Sequence, residues 1–252
     1  MAEYQSKLTD NAADFIWPND DVFGRIASRY DWLCDLFSFG LHRLWKHRMA
    51  QRIAGETWVT LLDGATGTGD IMLRIFSKIS DKKKNIIAAD ISEKMLGVAH
   101  RKLMPMPSNV SLVRLDAENM ASIPSASIDA YSISLALKIC NRHRVLEEAL
   151  RVLKPGGRLI VLEASNIRYA FIQRLYLVYM SICIPLLGWL MTAGDTSAYK
   201  YLLKGIKEFP SAEGLAAEML NAGFESVEFE RLTLGIVAIH VARKPLVGTL
   251  HV

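Results

Sequence analysis

Three carboxylates that follow apolar runs could together hold a small charged molecule. Asp63 stands at the head of Asp63-Gly64-Ala65-Thr66-Gly67-Thr68-Gly69-Asp70, directly after WVTLL; Asp90 ends NIIAAD, and Asp116 ends NVSLVRLD. Glycines after a strand let the chain turn sharply and let a ligand approach the main chain. The spacing here is G-x-x-G-x-G rather than the G-x-G-x-x-G of a dinucleotide site, and no Lys-Ser/Thr pair follows as in a phosphate loop. An acid ahead of the glycines suits an ammonium group better than a pyrophosphate. A carboxylate ending the next strand can take both hydroxyls of a ribose, and one ending the third can accept from an adenine amino group. A nucleoside that carries an amino acid is S-adenosylmethionine, which is therefore the expected cofactor. The plain alternative is that each acid merely caps its strand.

These acids converge only if the runs before them lie side by side. WVTLLDG, NIIAADI, NVSLVRLD, IDAYSISLAL and RLIVLEAS read as five strands. Between them DIMLRIFSKI, SEKMLGVAHRKL (with Ser92 as N-cap) and HRVLEEALRVLK, stopped by Pro155-Gly156-Gly157, read as helices. That alternation predicts a parallel sheet with right-handed crossovers. SAEGLAAEMLNAG is a further helix, and FESVEFERL and IVAIHVARK form a hairpin about a Thr-Leu-Gly turn. Upstream, Val22, Ile26, Trp32, Leu33, Leu36, Phe37, Leu41, Leu44 and Trp45 recur at helical spacing, broken near Gly40, which predicts two or three helices.

The chain of 252 residues holds one ample α/β domain. We expect a flexible arm at 1–19, a single domain at 20–244 with a helical cap at 20–54 and an apolar helical lid insertion at 166–205, and a tail at 245–252. The net charge of +4 is spread in short runs, so no nucleic-acid partner is expected. Cys34, Cys140 and Cys183 lie far apart, which speaks against a zinc site or a disulfide framework, and no His/Cys/Asp/Glu cluster has metal spacing. The first residues have no apolar core of a secretory signal.

DGATGTGD, AADISEKML, RVLKPGGRLIVLEAS and AGFE...LTLGIVAIH, with VFGRIASRYDWLCDLFSFGLHRLWK and YKYLLKGIKEFP, resemble the ubiquinone/menaquinone biosynthesis C-methyltransferases over roughly residues 20 to 244. The resemblance implies a Rossmann-like class I methyltransferase fold: a mostly parallel seven-stranded sheet with a C-terminal antiparallel hairpin. It implies that Thr68, Asp90, Asp116 with Ala117, and Ser134 contact the cofactor, and that Asp63, Gly67 and Gly69 shape its methionine end. Gly64, Ile91 and Met95 are counted with them. Tyr30 and Lys46 are candidates for closing over cofactor or substrate, against the plainer readings of Tyr30 as a packing aromatic and Lys46 as a surface residue.

C-methylation of a quinol-type ring also needs a group that removes or shares a phenol proton. The family carries Phe-Gly-x-Arg-Asn after the strand-four serine, whereas this chain reads Ser134-Leu135-Ala136-Leu137-Lys138-Ile139-Cys140-Asn141. Lys138 stands for the arginine and lacks its planar fork. Ile139 stands for the asparagine, whose role Asn141 could take, so Lys138, Asn141 and Tyr30 are the catalytic candidates. Glu163 is open between site and structural hydrogen bonding. His42 reads as a helix-surface or capping histidine, His143 as a solvated helix start, and the facing of His240 is undecided. The alternative functions are an O- or N-methyltransferase on another lipid or aromatic molecule and a non-catalytic cofactor-binding partner in a biosynthetic complex.

The uncharged stretch LYLVYMSICIPLLGWLMTAG is long enough to cross a bilayer. It falls between strand five and the last strands, however, so a span would split the sheet, and Pro185 and Gly188 should interrupt one long helix. It reads instead as a lid over the cleft, lining a prenyl tail or packing as core. Leu186 and Trp189 are the side chains to test for that. The expected partners are a small-molecule or isoprenoid-lipid acceptor, with a peripheral membrane contact and a homodimer left open. A cytoplasmic location, with a peripheral place at the membrane left open, is the expectation from the missing signal and the greasy acceptor class.

Overall fold

A computed structural model describes residues 22–78, 83–167, 169–191 and 197–246, with side chains described except at 22, 184–191 and 197–202. The expected arm at 1–19, most of the tail at 245–252, and the side chains of Leu186 and Trp189 lie outside the described residues.

Three helices open the described chain: α1 (Val22–Ile26), α2 (Tyr30–Ser38) and α3 (Leu41–Gly55). The break between α2 and α3 is left-handed at both Phe39 and Gly40. Alternation then begins with β1 (Thr60–Gly64), α4 (Asp70–Phe76), β2 (Asn85–Asp90), α5 (Glu93–Leu103), β3 (Val110–Arg114) and β4 (Ile128–Ser134). It continues with α6 (Arg142–Val152), β5 (Leu153–Ala164), α7 (Ala170–Met191), α8 (Ser197–Glu208), α9 (Ala212–Ala222), β6 (Ser226–Leu232) and β7 (Val237–Arg243). One sheet of seven strands runs β3-β2-β1-β4-β5-β7-β6. The first five are parallel, with Leu61 opposite Ile86 on one side and Ala130 on the other. β7 is antiparallel to both β5 and β6.

The sheet is buried on both faces, which is why its strands read as apolar runs rather than alternations. Leu62, Ile133 and Val161 join Val145, Ala149, Leu215 and Met219 of α6 and α9. Leu61, Ala130 and Ile160 join Met49 and Ile53 of α3 and Met72 and Ile75 of α4 on the other face. Strand order reverses between β1 and β4, and the carboxyl ends of strands at such a switch point open a crevice. The cap closes over that crevice: Leu33 of α2 packs with Met180 of α7, beside Tyr176, Tyr179, Leu203 and Ile206.

Three local expectations are corrected. α6 ends at Val152, ahead of Pro155, and Leu153 already starts β5. A residue before proline disfavours helix, and a register shift at Ile128/Ala130 fits the early start into the sheet. β3 ends at Arg114, so Asp116 stands two residues beyond it, in an isolated bridge with Asn119. α7 runs on through positions 185 and 188 as one helix; the single amide hydrogen that proline lacks does not end it. Among the described residues no helix is long and apolar enough to cross a membrane.

Candidate active site

The glycine loop leaves β1 through Ala65, Gly67 and Gly69, all with positive φ (52°, 57° and 79°). Asp90 fixes its shape. One carboxylate oxygen accepts from Gly67 N at 2.8 Å and the other from Ser92 N at 2.9 Å. Ser92 in turn caps α5 by accepting from Met95 N. Gly64 is required by packing, because a Cβ there would lie 2.6 Å from the hydroxyl of the fully buried Tyr131. A cavity of about 880 Å³ opens in front of the loop.

Of the sequence-derived candidates, Tyr30, Gly67, Asp90, Ile91, Met95, Asp116, Ala117, Ser134, Lys138 and Asn141 line this one cavity. Asp63, Gly64, Thr68, Gly69 and Lys46 stand behind its wall. Thr68 turns to the cap, donating to Asp31 Oδ1 at 2.6 Å and accepting from Lys102 Nζ at 3.1 Å. Lys46 is not a surface residue: it is buried, with Nζ 3.1 Å from Asp70 Oδ2. Burial would raise the Asp70 pKa, but Lys46, Arg74 and Lys102 outweigh it and hold the carboxyl down at about 2.

Asp63 is sealed in the core, where the Ser132 hydroxyl donates to Oδ1 at 2.5 Å. Its Oδ2 and the neighbouring Thr66 Oγ1 have no hydrogen-bond partner among the described residues. Burial pushes the Asp63 carboxyl up to about 6, against the pull of the Ser132 hydroxyl. An unfolded aspartate titrates near about 3.9. Between the two values the folded chain keeps a proton that the unfolded chain has lost. Asp63 therefore costs stability progressively as pH rises from about 4 to about 6. Asp63→Asn, which still accepts from Ser132, should raise the Tm of the ligand-free protein more at pH ~7.5 than at pH ~4.5. A Tm difference that does not change with pH would contradict this.

Lys138, on the cavity wall, forms one unit with the buried Glu163. Lys138 Nζ lies 3.0 Å from Glu163 Oε1 and also donates to the Leu135 carbonyl; Lys138 N donates to Glu163 Oε2 at 3.2 Å. Both side chains are almost wholly buried. Leu135 takes a left-handed φ of 55°, a conformation unusual for a branched residue, and its carbonyl is the one that meets the ammonium. Helix α8 crosses directly over this turn: a Cβ at Gly205 would lie 2.7 Å from the Lys138 carbonyl. Asn141 faces the cavity but is engaged as the N-cap of α6, accepting from Arg144 N at 3.3 Å. Tyr30 sits beside Cys34, which together with burial and nearby Asp90 and Asp31 holds its hydroxyl well above the ordinary range.

Of the three histidines only His42 departs from its sequence reading. His143 is exposed beside Glu147. His240 is buried in the sheet, where Nε2 donates to the Ala212 carbonyl at 2.9 Å, away from the cavity. His42 is the residue that sequence reasoning missed. It is no surface histidine but 3% exposed and on the cavity wall. Burial and the Lys46 ammonium bring its pKa down to about 4, so it is neutral. The available signal was Ser38 one helical turn earlier, across the Phe39-Gly40 break. Among the described residues no cluster of three His, Cys, Asp or Glu side chains could hold a metal ion.

The residues present fit S-adenosylmethionine. A buried carboxylate oxygen without a partner lies at Asp63, and two carboxylates, Asp90 and Asp116, stand on the wall. Gly67 leaves open space where a side chain would stand.

Comparison with known proteins agrees with this geometry. The model of the ubiE/COQ5 methyltransferase family matches residues 13–244. The ubiquinone/menaquinone biosynthesis C-methyltransferase of Pseudomonas paraeruginosa is 38% identical over 228 residues, 89% of this chain and 88% of its own length. Its namesake from Shewanella frigidimarina is 35% identical over 240 residues, 94% of this chain and 93% of its own. Among solved structures, a Thermotoga maritima S-adenosylmethionine-dependent methyltransferase, described as a possible histamine N-methyltransferase, superposes with a TM-score of 0.63. It is 20% identical and covers 88% of this chain and 97% of its own, which shows a shared fold.

Proposed function

The chain belongs to the ubiE/COQ5 methyltransferase family and is an S-adenosylmethionine-dependent methyltransferase; on that premise we propose that it C-methylates a quinol-type ring bearing a prenyl tail. The observation that carries this reading is that one cavity is lined by Asp90, Asp116 and Lys138, whose ammonium is held by Glu163. The namesake relatives are C-methyltransferases of ubiquinone and menaquinone biosynthesis.

In this reading Asp90 would hold the ribose hydroxyls, Asp116 and Ala117 the adenine, and Asp63, from behind the glycine loop, would balance the charge of the ammonium. When bound, the cofactor supplies a methyl group on a sulfonium. Enclosure by the cap and by α7–α8 excludes water and aligns the ring carbon with that methyl, which supplies several kcal/mol of barrier reduction. The ring must be electron-rich. Lys138 has three hydrogens; two go to Leu135 O and Glu163, and the third meets the phenol oxygen next to the reacting carbon. A fixed ammonium stabilises that oxygen as phenolate and so raises electron density at the carbon beside it. Methyl transfer would leave the cofactor as a neutral thioether, and the ring would regain aromaticity by passing the proton of the methylated carbon to solvent, one proton being released per turnover.

The prenyl tail leaves past Phe37, Tyr176 and Tyr179 on the apolar wall. Phe171, Leu175, Val178 and Ile182 expose an apolar face on α7, which suits a peripheral contact with the membrane that stores such lipids. Deleting the gene should make cells accumulate a quinone lighter by one methylene unit, with the methylated form restored by the intact gene. An unchanged quinone profile would contradict the assignment.

A further inference from the structure

His42 lies outside the roles assigned so far, yet the hydrogen bonds around it settle its chemistry. The Ser38 hydroxyl donates its only hydrogen to the Cys34 carbonyl at 2.6 Å. Its oxygen then accepts from His42 N at 3.2 Å and meets His42 Nδ1 at 2.9 Å. With the hydroxyl hydrogen already committed, the last contact is Nδ1–H donating, and both lone pairs of the serine oxygen are filled. The Asp35 carboxylate, 3.7 Å from Nδ1, favours the same tautomer. Nε2 is therefore the bare nitrogen. Among the described residues it has no hydrogen-bond partner, yet it is not one of the sealed, partnerless polar atoms such as Asp63 Oδ2. It opens onto the cavity whose wall His42 helps to form.

We propose that His42 Nε2 is a second recognition group for the acceptor ring, accepting a hydrogen bond from the hydroxyl remote from the carbon that is methylated. The proposal rests on the ring-methylation reading above. A hydroquinone has two hydroxyls on opposite sides of the ring. Lys138, a donor, takes one as phenolate, and His42, an acceptor, takes the other with its hydrogen. Donor and acceptor thus define both the orientation of the ring and its reduced state, because an oxidised quinone has no hydroxyl hydrogen to offer. A site built to accept a hydrogen bond rejects a ligand that lacks the donor, since its own polar group is then left unpaired.

The test uses a short-tailed naphthoquinol and its monoether capped on the hydroxyl remote from the reacting carbon. The unaltered enzyme should use the ether roughly ten- to hundredfold less well in kcat/KM, the range expected when a buried acceptor loses its donor. His42→Phe should lower kcat/KM on the quinol by a similar factor and have little further effect on the ether, because one interaction cannot be lost twice. His42→Gln, which places an amide oxygen near the position of Nε2, should retain part of the preference. S-adenosylhomocysteine affinity, measured by calorimetry on the same variants, should stay unchanged. Equal use of quinol and ether by the unaltered enzyme would overturn the proposal, as would equal losses on both in His42→Phe. No ring methylation of either compound would overturn the ring-methylation reading and this proposal with it.

Discussion

Glu163→Ala is expected to cost about 3–5 kcal/mol of stability, because it leaves the buried Lys138 ammonium without its counter-charge. Glu163 is 1% exposed, and its two oxygens accept from Lys138 Nζ, Lys138 N and Ala164 N. Chemical denaturation measures the loss, and a change below about 1 kcal/mol, the range of surface pairs, would contradict the burial argument. Methyl transfer should fall with it, since the ammonium is then free to swing from its position. Stability and catalysis can be separated by replacing both partners. A well-packed apolar pair in place of a buried ion pair is often neutral or stabilising. Lys138→Met combined with Glu163→Leu should therefore recover much of the lost stability and none of the activity. Recovery of both would show that the pair only holds the fold together.

Asp90→Ala has the second large expected effect, on the cofactor. The carboxylate fixes Gly67 N and Ser92 N and stands on the cavity wall, where it can accept from the ribose hydroxyls. Two hydrogen bonds to a charged acceptor are each worth about 1.5–3 kcal/mol. S-adenosylhomocysteine affinity should thus drop by roughly a hundred- to ten-thousandfold in calorimetry. Asp90→Asn retains one acceptor and should lie between. Affinity unchanged in Asp90→Ala would remove Asp90 from the site.

The sheet and its glycine loop were legible because they follow from local pattern. Buried parallel strands demand continuous apolar runs such as TLLDG and NIIAAD, and Ser92 marks a helix start by its own hydrogen bond. The partnerships within the site were not legible. Thr68 with Asp31, Lys46 with Asp70, and Lys138 with Glu163 join residues 37, 24 and 25 positions apart, on elements that meet only when cap, loop and sheet have docked. No periodicity carries such information. Lys46 looked solvent-facing because α3 has polar residues on every side, and only the docking of α4 supplies its acid. His42 was hidden for the same reason: its tautomer depends on Ser38, and its burial on a cavity closed by other helices. Pro185 was misread in the opposite direction, because a breaker in sequence need not break a helix in place.

The central claim is that this cleft forms a carbon–carbon bond on a quinol ring. Its most direct test is incubation of the purified protein with S-adenosylmethionine carrying a carbon-13 methyl group and with reduced demethylmenaquinol, followed by NMR of the extracted product. The expected result is a labelled methyl bonded to ring carbon, formed only with the reduced acceptor. Label found on oxygen, or absent from the ring while the protein still binds the cofactor, would contradict it.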